Sequence, residues 1–208
     1  MRRAAPWYLH PLVAPEAWHR LRMGTAGLSF AVVNVHNGPG ATMDGCYREA
    51  LAGVRTPLAG YVDVAYGRRT GGEILGDARA WRERYGVTAV MLDQVPTAQQ
   101  GHWRLRLIDR LRAEGASRVV ANPGCQAPPA LVQRADVTCV SEMAWPAYAA
   151  TTPPDPPAAP DRLWHLVHSC PADQQASAVA LAAARGAGFC WATAGTLPNP
   201  WQVLQEDW

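Results

Sequence analysis

The chain has 208 residues, of which 49% are hydrophobic and 17% charged, and its formal net charge is +2. This length suits one sizeable core rather than two independent domains, and the composition excludes a disordered chain. The mild charge does not call for a nucleic-acid partner or an acidic membrane surface. All 19 basic residues are arginine, which excludes Schiff-base lysines and the phosphate lysine of a Walker motif.

The cysteines and the N-terminal residues predict the cellular compartment of the protein. Five cysteines are scattered without a C-x-x-C pair, which predicts buried free thiols in a reducing environment. The first residues lack the apolar stretch of a signal peptide, and no apolar run is long enough to span a bilayer. We therefore expect a cytoplasmic protein without a membrane partner.

Short apolar runs alternate with helical patterns along the whole chain. The predicted strands are Trp7–Leu12, Leu28–Asn34, Leu58–Asp63, Thr88–Asp93, Arg118–Asn122, Val137–Glu142, Leu163–His168 and Gly188–Thr193. Apolar spacings of three and four predict helices over Glu73–Tyr85 and His102–Glu114. Proline, glycine and alanine signals predict further helices over Pro15–Met23, Asp44–Val54, Ala172–Arg185 and Asn199–Gln205. Such alternation predicts an α/β fold with a parallel sheet covered by helices. Eight units favour a compact (β/α)₈ TIM barrel forming one domain over residues 1–208, with an open doubly wound sheet as the alternative.

One interval departs from this alternation. Trp145 to Pro160 contains six prolines, so no full helix is expected after the sixth strand. We expect this Pro-rich loop to lie over the C-terminal face of the strands, with Trp145 and Tyr148 facing a ligand.

Polar residues stand where the predicted strands end. In a barrel of this class the chemistry lies at the C-terminal ends of the strands, and unpaired polar atoms would be costly inside the core. A lined pocket is therefore predicted from His10, Asn34, Asp63, Asp93, Gln94, Asn122, Glu142, His168 and Thr193.

Asp93 and Glu142 are the strongest catalytic candidates in this group. Each leaves an apolar strand at the pocket rim, where burial raises the pKa of a carboxyl group. Two carboxyl groups facing one cavity are the requirement of glycoside hydrolysis, and Trp145 offers an aromatic surface for a sugar ring. His165 and His168 are three apart on a strand and face opposite sides, so no metal site and no cofactor are predicted.

The chain resembles the spherulin-4-like proteins (spherulation-specific family 4). The resemblance rests on an ordered series of short pieces: Tyr8-Leu9-His10-Pro11, Val33-Asn34, Asn37-Gly38-Pro39-Gly40, Gly60-Tyr61-Val62-Asp63, Tyr66-Gly67-Arg68-Arg69, Tyr85-Gly86, Met91-Leu92-Asp93, Asn122-Pro123-Gly124, Ala135-Asp136, Glu142 and Val167-His168. It implies a TIM barrel and an endo-acting hydrolase of galactosamine-containing exopolysaccharide. The family's Leu-Asp-Glu falls on Leu92-Asp93-Gln94, so a glutamine stands in place of one carboxylate.

Three functions remain open at this stage. The first is a glycoside hydrolase of amino-sugar-containing glycans, with Asp93 and Glu142 as the catalytic pair. Its cleft would be lined by His10, Asn34, Tyr61, Asp63, Tyr66, Asn122, Trp145, His168 and Thr193. The second is a barrel repurposed for isomerisation, cyclisation or dehydration of a small molecule, in which Gln94 donates a hydrogen bond. The third is a non-catalytic glycan-binding protein.

Overall fold

Eight parallel strands, each hydrogen-bonded to the next along the chain, close into a barrel in the computed structural model. The structure describes residues 1–97, 102–152 and 156–202. The strands are β1 Arg2–Trp7, β2 Phe30–Val33, β3 Leu58–Asp63, β4 Ala89–Asp93, β5 Val119–Asn122, β6 Val137–Ala144, β7 Leu163–His168 and β8 Phe189–Ala192. Because β8 pairs with β1, the sheet has no free edge, and the open doubly wound alternative is excluded.

Helices connect the strands on the outside of the barrel. They are α1 Pro15–Met23, α2 Gly45–Leu51, α3 Gly71–Tyr85, α4 Trp103–Ala113, α5 Pro129–Arg134, α6 Trp145–Ala150 and α7 Gln175–Ala184. Short 3₁₀ helices cover Ala65–Gly67, Pro160–Arg162, Ala172–Gln174 and Pro200–Gln202. The prediction for Asn199–Gln205 therefore holds only in part, and residues 203–205 lie outside the described residues.

Local sequence signals fix where the helices begin and end. Thr70 and Glu73 form a reciprocal capping box at the start of α3, which satisfies amide groups that have no partner within the helix. Gly24 ends α1 in the left-handed conformation with a φ of 74°, which glycine adopts without a steric cost.

The first predicted strand is wrong in position. The prediction was Trp7–Leu12, whereas β1 runs from Arg2 to Trp7. The two arginines are tolerated because they lie at the open N-terminal end of the barrel, where the Arg2 guanidinium lies 4.0 Å from the centre of the Phe189 ring. His10 therefore lies beyond the strand end rather than on it.

A β-bulge in β6 changes which side chains face the barrel interior. The register with β7 shifts between Cys139 and Ser141, so the strict alternation that places Glu142 in phase with Val140 does not hold. Glu142 lines a cleft at the barrel mouth, whereas Val140 lines a cavity on the outer side of the sheet.

The Pro-rich segment is not arranged as the predicted lid. Its first residues form α6, in which Tyr148 is buried and the Trp145 indole donates to Gln174. Pro156 lies against Gly186, just ahead of β8. In a parallel barrel this is the end opposite the strand C-termini, so the described part of the segment runs down the outer face of the barrel. Proline ends the helix after six residues, as expected. The segment cannot stay over the strand C-termini, because it must lead to the start of β7 at the opposite end of the barrel.

Candidate functional site

A cleft of about 300 Å³ opens at the C-terminal ends of the strands. Its apolar floor includes Pro6, Met91 and Leu166. The polar residues above this floor are Tyr8, Asn34, Asn37, Tyr61, Asp93, Gln94, Asn122, Glu142 and Asn199. The strands thus bring together six of the residues predicted from the sequence, namely Asn34, Tyr61, Asp93, Gln94, Asn122 and Glu142.

Asn122 joins the two carboxyl groups. Its amide nitrogen donates to Asp93 Oδ1 at 2.8 Å and to Glu142 Oε2 at 2.7 Å. Its oxygen accepts from the Gly124 amide at 2.8 Å, which orients the NH₂ group toward both carboxyls. Since both oxygens contact the same nitrogen, the two distances cap their separation at about 5.5 Å.

Burial determines the proton affinity of Asp93. It raises the pKa of this carboxyl from 3.8 to about 6, although the hydrogen bond from Tyr61 opposes the shift. The negative charge of Glu142 is a smaller contribution to the same rise. Tyr61 donates to Asp93 Oδ2 at 2.8 Å, and that contact together with its own burial keeps the phenol protonated.

Glu142 is buried as well but has a different set of partners. Burial raises its pKa, whereas hydrogen bonds from Asn122 and from the Trp201 side chain lower it. The pKa values of both carboxyl groups are therefore raised, and the negative charge of Glu142 adds to the shift at Asp93.

The backbone turns sharply at Gln94. Its φ is 56°, a left-handed conformation that a residue with a side chain rarely adopts and that is typical of strained functional sites. Strand alternation predicts that Gln94 and Asp93 face opposite sides of the sheet, but both residues line the cleft. The backbone N–H of Gln94 also donates a hydrogen bond to the Asp93 carboxyl group.

The C-terminal segment covers the cleft in place of the predicted loop. Leu197, Pro198, Asn199, Pro200 and Trp201 all line it. The Trp201 ring packs edge-to-face on His168, with ring centres 6.2 Å apart. Sequence reasoning missed this role because the segment is short and follows the last strand.

Tyr8 and Asn37 were also missed from the sequence. Tyr8 lies one residue beyond β1, packs edge-to-face on Tyr61 and lines the cleft. Asn37 donates to Asp63 Oδ2 at 3.2 Å. The misplaced first strand concealed Tyr8, because a strand predicted over Trp7–Leu12 places this residue within the strand rather than just beyond its end.

Several predicted residues shape loops around the cleft. Asp63 accepts from the Ala65 amide at 2.6 Å, and Asn34 accepts from the Gly38 amide at 2.9 Å. Thr193 is buried and accepts from the Gly195 amide at 3.1 Å. These contacts hold the turns that follow β2, β3 and β8.

The other predicted residues lie outside the cleft itself. His10 lines an adjoining depression of about 500 Å³. His168 contacts Ser169 and Trp201 at the cleft edge. Tyr66 is 60% exposed, and Trp145 packs with Tyr148 on the outer face, so neither faces the carboxyl pair.

No cluster of three metal-ligating side chains occurs within residues 1–97, 102–152 and 156–202. Over the same ranges, no helix has the length and apolar character needed to cross a membrane.

The fold and the site define a class: a closed (β/α)₈ barrel with a bridged pair of buried carboxyl groups at the C-terminal ends of β4 and β6. The chain belongs to Spherulin4, spherulation-specific family 4, whose sequence model matches residues 4–208. No curated protein sequence matches it.

Among solved structures, Sph3 of Aspergillus clavatus in complex with GalNAc aligns with a TM-score of 0.80 and 23% identity. That alignment covers 100% of this chain and 94% of the Sph3 chain, and it shows that the two share the barrel fold. A structure assigned to the dihydrodipicolinate synthase family from Coccidioides immitis aligns with a TM-score of 0.49 and 13% identity, over 91% of this chain and 64% of that one.

Proposed function

We propose that this protein is a glycoside hydrolase of amino-sugar-containing glycans, with Asp93 and Glu142 as its catalytic pair. The observation that carries the proposal is the single Asn122 amide group that bonds to both carboxyls. Membership of the spherulin-4 family supports it, as does the GalNAc bound in the Sph3 structure.

The carboxyl separation favours a retaining mechanism. Retaining glycosidases hold the two carboxyls about 5–5.5 Å apart, whereas inverting enzymes need about 6.5–9.5 Å to admit a water molecule. The Asn122 bridge keeps Asp93 Oδ1 and Glu142 Oε2 within about 5.5 Å of each other, which fits the shorter range better than the longer one. Protonated Asp93 would give its proton to the glycosidic oxygen as ionised Glu142 attacks the anomeric carbon. Asp93 would then take a proton from water as that water displaces Glu142.

The shape of the cleft favours a polymer over a small molecule. The cleft and the depression beside His10 share four lining residues: Tyr8, Asn34, Asn37 and Asn199. The two therefore adjoin, and an extended chain of sugars would fit across both. A repurposed small-molecule enzyme is the second candidate, and the glutamine at position 94 is the observation that favours it.

The proposal is tested on a galactosamine-containing polymer by measuring the release of reducing ends. Asp93→Asn and Glu142→Gln should each lower turnover at least about 10²-fold, the scale expected for losing an acid or base. Asp109→Asn and Glu114→Gln make the same chemical changes on the surface and should leave turnover unchanged. An inert native protein would reject the hydrolase and favour the repurposed enzyme.

A further inference from the structure

The outer layer of the barrel is thin beside β6 and β7. A six-residue helix extends only about 9 Å, and α6 has six residues. It therefore covers only part of the outer faces of these strands. A cavity of about 160 Å³ remains between α6, the strands and the loop after β5. We call it the lateral cavity.

The walls of the lateral cavity are mainly apolar. Val140 and Met143 contribute from β6, and Pro156 and Pro157 contribute from the segment beyond α6. The cavity shares no lining residue with the catalytic cleft. Its size matches that of an engineered apolar cavity of about 150 Å³ that accommodates benzene.

One polar group of the wall is left without a protein partner. His165 is 4% exposed and lines the cavity, and its Nδ1 lies 2.6 Å from the Tyr148 hydroxyl. Nε2 has no hydrogen-bond partner among the described residues. Nε2 is not among the fully buried side-chain atoms that lack a partner, so it is open to a molecule in the cavity that accepts its hydrogen bond.

The neighbours of His165 set the hydrogen on Nε2. Burial lowers the pKa of His165 to about 4, so the ring is neutral and carries one hydrogen. Arg185 donates to the Tyr148 backbone carbonyl at 2.7 Å, and its guanidinium lies 4.4 Å from the centre of the Tyr148 ring. A phenol is a stronger acid than a neutral imidazole, so the Tyr148 hydroxyl donates to Nδ1 and the imidazole hydrogen is left on Nε2.

We propose that the lateral cavity is a second ligand site, which binds a compact, uncharged, ring-sized apolar molecule that accepts one hydrogen bond from His165 Nε2. Volume and apolar walls select the body of the ligand, and the imidazole N–H selects an oxygen on its rim. This site is independent of the proposed glycosidase activity.

An occupant would contact the loop that supports the catalytic pair. Gly124 lines the lateral cavity. Its amide donates to Asn122 Oδ1 at 2.8 Å, and its carbonyl accepts from the Glu142 amide at 3.2 Å. The lateral cavity and the cleft are thus separated by one strand and share this loop.

Phenol and toluene test the site because they have the same shape and differ in one oxygen. Calorimetric titration of the native protein at pH 7 should show one binding site for each. His165→Met should weaken phenol binding about tenfold, the effect of losing a hydrogen bond of about 1.4 kcal/mol, and leave toluene binding unchanged. Both probes sense the same folded population, so the ratio of their affinities is insensitive to partial unfolding.

Two further variants locate the binding. Val140→Phe places a ring in the lateral cavity and should abolish binding of both probes. Glu142→Gln changes a side chain that lines the cleft and not the lateral cavity, keeps the backbone bond to Gly124, and should leave both affinities unchanged. The proposal is overturned if neither probe binds, if Glu142→Gln weakens binding, or if His165→Met leaves the phenol-to-toluene ratio unaltered.

Discussion

At the scale of single residues, the buried Asp93 makes stability depend on pH. Its pKa is about 6 in the folded protein against an ordinary value of 3.8. The folded state therefore binds this proton more tightly than the unfolded state does between these two values. Linkage then requires that the free energy of unfolding decrease as pH rises through this window.

We expect Asp93→Asn to remove this part of the pH dependence. The native protein should lose up to about 3 kcal/mol relative to the variant between pH 4 and pH 7, at about 1.4 kcal/mol per unit of pKa shift. Urea unfolding at several pH values measures it, and the comparison cancels the contributions of other carboxyls. Asp109→Asn serves as the control. Parallel stability curves for native protein and Asp93→Asn would contradict the raised pKa.

Gln94 separates the two candidate functions. A glutamate at this position would add a negative charge beside Asp93 and raise the Asp93 pKa further. If the protein is a glycosidase, Asp93 and Glu142 suffice, and Gln94→Glu should change kcat on amino-sugar polymers only modestly. If it is a repurposed enzyme, the same substitution removes a neutral N–H donor and should impair its own reaction. Kinetics of native protein and Gln94→Glu on both substrate classes distinguish these outcomes.

At the scale of elements, strand ends could be predicted where apolar runs meet a polar residue. Asp63, Asp93 and His168 each end a strand at the predicted position. The bulge in β6 could not be predicted, because it depends on pairing with β7 rather than on local sequence. The position of β1 was missed for a related reason: closure onto β8 selects Arg2, whereas local hydrophobicity favours the Trp-Tyr-Leu run that follows.

The C-terminal segment is the element with the most direct effect on the carboxyl pair. The Trp201 side chain hydrogen-bonds to Glu142 and lowers its pKa. Trp201→Phe keeps the ring beside His168 but removes the indole N–H, so the pKa of Glu142 should rise. The proposed mechanism requires ionised Glu142, so the acid limb of the kcat/KM profile should move up by as much as about one pH unit.

Trp145→Phe provides the matched control for this prediction. Its indole N–H bonds to Gln174 on the outer face, so its loss should leave the pH profile in place. A Trp201→Phe profile that coincides with the native one would show that the segment covers the cleft without tuning Glu142.

At the scale of the whole molecule, eight strand and helix units were sufficient to predict a closed barrel. Most of the strands are covered by the helix that follows them, and alternation of this kind leaves few topologies. The lid could not be predicted in the same way, because proline content shows where a helix is interrupted but not which face the loop covers. The covering role falls instead to Leu197 and Trp201, which follow the last strand.

Gly60 provides a test of how tightly the helical layer packs on the barrel. A Cβ at this position would lie 2.4 Å from the Trp81 ring, whose indole donates to the Tyr61 carbonyl at 2.7 Å. Trp81 is fully buried in α3 and has no room to retreat. Gly60→Ala should therefore destabilise the protein by about 1–3 kcal/mol, as expected for overpacking in a core. Gly76→Ala is the control, because nothing lies within 4 Å of its Cβ position.

Urea unfolding followed by tryptophan fluorescence and by circular dichroism should give coincident transitions that shift together for Gly60→Ala, since one core unfolds as one unit. A shift seen by fluorescence alone would mean that α3 separates from the barrel before the sheet unfolds.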